Sequence, residues 1–237
     1  LSSPNWVQTG GEGSAKAIVI GGYDYNLYSL EAATGKTNWL YETGNYINGT
    51  PSVTEGQTIF GGCDALLHVL SLKDGSKVKE IEAGAYIAGS GAFEGSRVYI
   101  GHYDNEFLCV DVEKGEVVWR YKARSFPYFS SPALTADRVI FGGRDKKVHC
   151  LEKETGKRIW QFSTQAKVDS SPVVADGRVV VGSSDGRLYM LNLEDGKEAW
   201  SYEVGEAILG SPAVVDGMIV VGVDDGAVMA FGVKPQL

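Results

Sequence analysis

Cysteine is scarce in this chain: three residues, Cys63, Cys109 and Cys150, far apart and odd in number. That spacing builds neither a disulfide framework nor a zinc site. Histidine is equally scarce, with His68, His102 and His149 only, and no Ser-His-Asp order, phosphate-binding loop or paired carboxylate accompanies them. No stretch reaches the 18 or so apolar residues that cross a bilayer as a helix. Excess positive charge is missing too: the net charge is −8. A nucleic-acid partner is therefore not expected, because binding one requires cations that displace phosphate counterions. The chain also starts at Leu1 rather than methionine, and a leader or further upstream region is expected to precede it.

What is abundant is repetition. An aspartate recurs at Asp24, Asp64, Asp104, Asp145, Asp185 and Asp225, a spacing of 40 or 41 residues. Eleven residues after each of the first five stands a glycine: Gly35, Gly75, Gly115, Gly156 and Gly196. Four further on come Trp39, Trp119, Trp160 and Trp200, with Lys79 in the second copy. Pro51, Pro132, Pro172 and Pro212 precede their aspartates by 13, and Gly91 stands at that place before Asp104. Each copy holds four strand-sized runs, such as SPVVA, RVVVGS, RLYMLNL and KEAWSYEV, separated by short Asp- and Gly-rich turns. Consecutive hairpins of that length make an antiparallel meander. The middle runs are apolar on both faces, so both faces of each sheet must be covered. A period near 40 with four strands per copy predicts an all-β fold, a six-bladed β-propeller of four-stranded antiparallel blades forming one domain over residues 1–237.

Within that scheme each repeated glycine supplies a positive φ in the turn before the outer strand. The tryptophan after it docks one blade on the next, so Trp39, Trp119, Trp160 and Trp200 are structural. The N-terminal LSSPNW has two readings. Ser2, Ser3 and Pro4 match the SSP of residues 130–132 and 170–172, which makes this the inner strand of blade 1, entered ahead of a long QTGGEGSAK loop. Alternatively, Trp6 acts as an outer-strand tryptophan and completes blade 6. On the first reading blade 6 stays three-stranded or borrows the terminal VKPQL.

The copy SSPxVxDGxVxVGSxDGxLYxLxxxxGKxxW resembles the pyrroloquinoline-quinone-like (PQQ-like) propeller repeat, over essentially residues 2–231. WD and kelch repeats fit worse, since no strand here ends in Trp-Asp. The resemblance implies two branches. Quinoprotein dehydrogenases hold PQQ beside a ring of two adjacent cysteines, with calcium bound by Glu, Asn and Asp. This chain has no Cys-Cys pair, and no such trio maps onto matched positions. The other branch, similar to the outer-membrane β-barrel assembly lipoprotein, is non-catalytic. The expectation is therefore a non-catalytic, extracytoplasmic protein- or peptide-binding scaffold, with no catalytic residue, metal or cofactor. A PQQ- and calcium-dependent alcohol or sugar dehydrogenase and a carbohydrate-binding propeller are the alternatives. The repeated aspartates read as turn caps.

Since repetition sets the scaffold, a site belongs where the copies differ. They differ most in the segments entering each first strand, such as GNYINGT, GAYIAGS and ARSFPYFSS, and in the turns before each third strand. Propeller geometry brings both sets to one face. They carry Tyr23, Tyr25, Tyr46, Tyr86, Tyr103, Phe126, Tyr128 and Phe129, amphipathic rings that give binding area at small entropic cost. Charge is uneven as well. Residues 120–167 hold 11 Lys and Arg against 4 Asp and Glu, and residues 168–237 hold 4 against 11. Arg124, Arg144, Lys146, Lys147 and Lys167 lie in that basic sector, which would steer an acidic partner. The predicted binding face is thus Tyr23, Tyr46, Tyr86, Tyr103, Phe126, Tyr128, Phe129, Arg144 and Lys146.

Overall fold

A computed structural model describes residues 2–8, 16–54 and 56–232. The chain divides into two compact units, residues 1–123 and 124–237, and each contains three antiparallel sheets. In the first unit, sheet 1 is β1 (Asn5–Gln8), β2 (Lys16–Gly21), β3 (Asn26–Glu31) and β4 (Thr37–Glu42). Sheet 2 is β5 (Ser52–Val53), β6 (Gln57–Gly61), β7 (Leu66–Ser71) and β8 (Lys77–Glu82). Sheet 3 is β9 (Ala92–Glu94), β10 (Arg97–Gly101), β11 (Phe107–Asp111) and β12 (Glu116–Tyr121).

In the second unit, sheet 4 is β13 (Ala133–Leu134), β14 (Arg138–Gly143), β15 (Lys147–Glu152) and β16 (Arg158–Ser163). Sheet 5 is β17 (Val173–Ala175), β18 (Arg178–Gly182), β19 (Arg187–Asn192) and β20 (Glu198–Glu203). Sheet 6 has three strands among the described residues, β21 (Ala213–Val215), β22 (Met218–Gly222) and β23 (Val228–Gly232). Every sheet is a meander in chain order, and among the described residues no helix interrupts the strands. The N-terminal fork resolves in favour of SSP. β1 pairs with β2, and the Gly21 N–H donates to Ser2 Oγ at 3.2 Å, as Gly142 and Gly182 donate to Ser130 and Ser170. Trp6 therefore lies in sheet 1. Residues 9–15 of the loop after it, and the VKPQL tail, lie outside the described residues.

The apolar runs are two-faced as expected. In β18, Val179 and Val181 belong to a core shared with sheet 4, where Ile140, Val148 and Trp160 meet them. Val180 between them belongs to a core shared with sheet 6, against Ile219 and Val221. Sheet 2 divides likewise: Ile59, Leu67 and Val69 face Val98, Ile100 and Leu108 of sheet 3. Phe60 and Leu70 face Val19, Leu27 and Trp39 of sheet 1.

Trp39 and Trp160 each dock their own sheet on the next sheet of the same unit. Trp39 Nε1 donates to the Leu72 carbonyl at 3.0 Å and Trp160 Nε1 to the Leu193 carbonyl at 2.8 Å. Each ring lies on the turn glycine of the next sheet. A Cβ on Gly75 would come within 2.7 Å of Trp39, and one on Gly196 within 2.5 Å of Trp160. A register shift opposite each outer strand, between Ser29 and Leu30 in sheet 1 and Cys150 and Leu151 in sheet 4, inserts one extra residue just before the tryptophan. Such a bulge re-aims the strand, and it leaves the inserted Val118 and Ile159 41% exposed. Lys79 keeps the docking without an indole. Its ammonium donates to the Glu113 carbonyl, and its stem lies over Gly115. Trp200 is the least covered of the four, 36% exposed beside Tyr202 and Phe231.

These contacts separate two glycines of the same column. Gly35 has φ +73° and open space around its Cβ position, whereas Gly75 has φ +72° with the Trp39 ring above it. Gly35→Ala should cost only the left-handed backbone term, roughly 1–2 kcal/mol. Gly75→Ala should add the overpacking term, a further 1–3 kcal/mol or so. Chemical denaturation of both variants checks this, and equal losses would remove the indole from the docking role.

Candidate functional site

The face carrying the variable residues is built by the linkers between sheets. Each linker inserts one buried side chain: Ile47 and Ile87 in the first unit, Tyr128, Val168 and Ile208 in the second, all with no exposed surface. In sheets 1, 2 and 5 the glycine ending the second strand makes room for it. A Cβ on Gly21 would fall 2.3 Å from Ile47, on Gly61 2.4 Å from Ile87, and on Gly182 2.1 Å from Ile208. Backbone bonds then fasten the linker on both sides. The Ile47 N–H donates to Gly22, and the Cys63 N–H donates to Tyr46. The Ile87 N–H donates to Gly62, and the Tyr103 N–H to Tyr86 at 2.9 Å. The second unit repeats the pattern through Val168 to Gly143 and Ser184 to Lys167. Within each unit, then, linkers and turns meet at one end of the sheets.

The repeated aspartates are turn caps with an additional partner. Asp24, Asp64, Asp185 and Asp225 each accept a backbone N–H two residues on. Four also bind a side chain four residues on: Asp24 with Tyr28, Asp64 with His68 at 2.8 Å, Asp145 with His149 at 3.0 Å, and Asp185 with Tyr189 at 2.9 Å. The Tyr28 hydroxyl holds the Asp24 carboxyl below its usual range and is itself pushed up by it. His68 and His149 stack on Phe60 and Phe141 with centroids 4.9 and 5.1 Å apart, inside the sheets. Asp-x-x-x-Tyr/His was visible in the sequence as a recurring spacing; it is the signal for these bonds that the sequence reading did not use.

In the first unit the structure brings together two tyrosine groups. Tyr46 meets Tyr23 and Tyr25 edge-on, with centroids 5.2 and 5.1 Å apart. The contact with Tyr46 raises the Tyr25 phenol. Tyr86 meets Tyr103 at 6.4 Å, beside an open cleft also lined by Ala85 and Asp104. Cys63, in the same turn column, is half-buried, and burial pushes its thiol up rather than toward a reactive thiolate.

In the second unit the predicted residues part company. Phe126 is 46% exposed, and Lys146 is exposed at φ 66°. Tyr128 is fully buried, its ring edge-on to Phe141 at 5.2 Å and to His149 at 5.4 Å. It fills the linker position that Ile or Val fills elsewhere, so its place on the binding face is corrected to packing. Arg144 lies over the Phe129 ring at 4.0 Å and forks onto Asp169 with bonds of 2.9 and 3.0 Å. Lys167 reaches the same carboxylate at 2.8 Å. Two cations of the basic sector are thereby neutralised within the chain. Burial pulls the Asp169 carboxyl upward, but the bonds from Arg144 and Lys167 outweigh it and hold it low.

No adjacent cysteines occur, and among the described residues no three His, Cys, Asp or Glu side chains are grouped to hold a metal ion. No helix among the described residues is long and apolar enough to cross a membrane.

Comparison with known proteins gives three findings. The profile of one family, described as outer membrane protein assembly factor BamB, matches residues 78–148 and 144–234. The crystal structure of BamB from Moraxella catarrhalis superposes with a TM-score of 0.81 at 18% identity, covering 96% of this chain and 72% of that one. The computationally designed Ika8 protein superposes with a TM-score of 0.85 at 16% identity, covering 98% of this chain and 70% of its own. No curated protein sequence matches. The six antiparallel sheets are thus those of a β-propeller of PQQ-like repeats.

Two outcomes follow from the geometry. Tyr128→Ala should destabilise by roughly 3–5 kcal/mol, as loss of a buried aromatic does, while Phe126→Ala should stay within about 0.5 kcal/mol; thermal melts of both separate packing from surface. The depressed Asp169 carboxyl contributes stability that is present above pH 3.8, its unfolded value, and is lost as pH falls through the folded value. Asp169→Asn should therefore melt earlier than the parent at pH 7, and the gap should close on strong acidification.

Proposed function

The chain belongs to the family described as outer membrane protein assembly factor BamB, and from that premise we propose that it is a non-catalytic scaffold holding protein partners outside the cytoplasm. The observation that carries this reading is the combination of exposed rings with a fastened backbone. Tyr23, Tyr46, Tyr86, Tyr103 and Phe126 are 44–54% exposed. The segments bearing them are pinned by linker hydrogen bonds and buried side chains rather than left free. Aromatic rings presented on a rigid end give contact area with little entropy to lose on binding. Asp24, Asp64, Asp145 and Asp185, with His68 and His149, are occupied inside the turns. The family's printed description supplies the process: assembly of outer membrane proteins.

The test is genetic and biochemical. Deleting the coding region should lower outer-membrane β-barrel protein levels severalfold in envelope fractions, and the wild-type chain should restore them. A Tyr23→Ala, Tyr46→Ala double variant should melt within a few degrees of wild type yet fail to restore them. Unchanged envelope protein levels on deletion would overturn the scaffold reading. So would a PQQ absorbance that stays with the purified chain after addition of PQQ and calcium.

A further inference from the structure

We infer that the cleft between Tyr86 and Tyr103 is a subsite for an arginine side chain of a partner protein, with Asp104 as its counter-ion. This rests on the scaffold reading and gives the partner a chemistry, a basic segment.

The argument begins with one departure in the aspartate column. Asp24, Asp64, Asp145, Asp185 and Asp225 all have carboxylates engaged by their own turns. Asp104 does not. Four residues after it stands Leu108, fully buried and unable to donate. The turn is capped in a different way: the Asp104 N–H donates to Nδ1 of His102 at 3.1 Å. Among the described residues, Asp104 is the member of the column whose carboxylate accepts no hydrogen bond and pairs with no cation. The structural duty has passed to His102, and the carboxylate is left exposed.

Its surroundings are equally specific. Asp104 lines an open cleft of about 330 Å³ together with Ala85, Tyr86 and Tyr103. The two rings are 53% and 47% exposed, set at 74° to each other, and their backbones are joined by the Tyr103-to-Tyr86 hydrogen bond. A ring face attracts a cation through its quadrupole, and a carboxylate at the same place completes the charge. The planar guanidinium suits this better than a compact ammonium, since it stacks on a ring while forking onto a carboxylate. The chain already contains this arrangement in the second unit. There Arg144 lies 4.0 Å over the Phe129 ring and forks onto Asp169. In the first unit the rings and the carboxylate are present, and among the described residues no guanidinium pairs with Asp104. Residues 1–119 carry 7 Lys and Arg against 15 Asp and Glu, a field that favours a basic visitor.

The test uses the whole chain and the peptide acetyl-Gly-Arg-Gly-amide, followed by NMR of isotope-labelled protein. Saturable shifts at Tyr86, Tyr103 and Asp104 are expected, with Kd on the order of 1 mM. Replacing arginine by citrulline, which keeps the shape and removes the charge, should abolish them. Asp104→Asn and Tyr86→Ala should each weaken binding about tenfold, and Tyr23→Ala should not. No saturable shift at roughly 10 mM peptide, equal binding of the citrulline peptide, or unchanged affinity in Asp104→Asn would overturn the subsite. The citrulline comparison needs no variant, so it holds even if a substitution disturbs folding. The two readings fail separately: a chain that restores envelope proteins but ignores the arginine peptide loses the subsite alone.

Discussion

Neighbouring residues on one strand belong to different cores, and that constraint organises the rest of the molecule. Val179 and Val181 pack toward sheet 4 while Val180 packs toward sheet 6. A single meander offers no cover for either face. Fully burying an aliphatic side chain contributes roughly 1.5–3 kcal/mol relative to leaving it exposed. A lone copy would forgo that contribution on both faces at once. Sheets of this kind are stable only beside similar sheets, which is why the same sentence is repeated along the chain.

Stacking of two-faced sheets sets a second requirement, that the links between them be short and immobile. The links meet it with one recurrent device, a β-branched or aromatic side chain pressed into the space above a glycine. Ile47 over Gly21 and Ile208 over Gly182 approach so closely that no Cβ is tolerated beneath them. Serines add a polar thread beside this device. Ser130 Oγ donates to the Ser170 carbonyl at 3.0 Å, and Ser170 Oγ to Gly210 at 2.9 Å, each forty residues on. The loops at this end are therefore rigid for reasons internal to the scaffold, and their outward side chains are free to vary without loosening it.

Much of the fold was legible because its determinants are local and periodic. Turn chemistry marked by Asp24 and Gly35, and two-faced runs such as RVVVGS, announce strands and their cover without reference to distant residues. The outer-strand bulge was not legible, since Asn38 and Val78 look like ordinary strand residues. Their extra place emerges only from pairing across the hairpin. Tyr128 was misjudged for a related reason. The segment ARSFPYFSS departs from the other linkers, so its aromatics read as surface. Aligning it by the buried position would have put Tyr128 in the column of Ile47, Ile87, Val168 and Ile208. Arg144 and Asp169 come from adjacent copies, and nothing in either copy alone signals that they pair.

The turn column after the aspartates ties scaffold and site together. In sheets 5 and 6 it holds glycine, Gly186 and Gly226, with φ of 80° and 91°. In sheets 1 to 4 the same place holds Tyr25, Ala65, Asn105 and Lys146, all near φ 66–72°. A left-handed L-residue costs on the order of 1–2 kcal/mol that glycine avoids. Stability alone would restore glycine at each of the four. Such strain is tolerated where a side chain is wanted at that point on the surface. Tyr25 leans on Tyr46, and Asn105 follows the carboxylate of Asp104 in the turn whose cap was transferred to His102. The glycines persist in sheets 5 and 6, whose turns carry no exposed aromatic ring. Strain and exposed rings coincide in the turns of sheets 1 and 3, at Tyr25 and beside Tyr103, whereas the turns of Ala65 and Lys146 carry the strain without a ring.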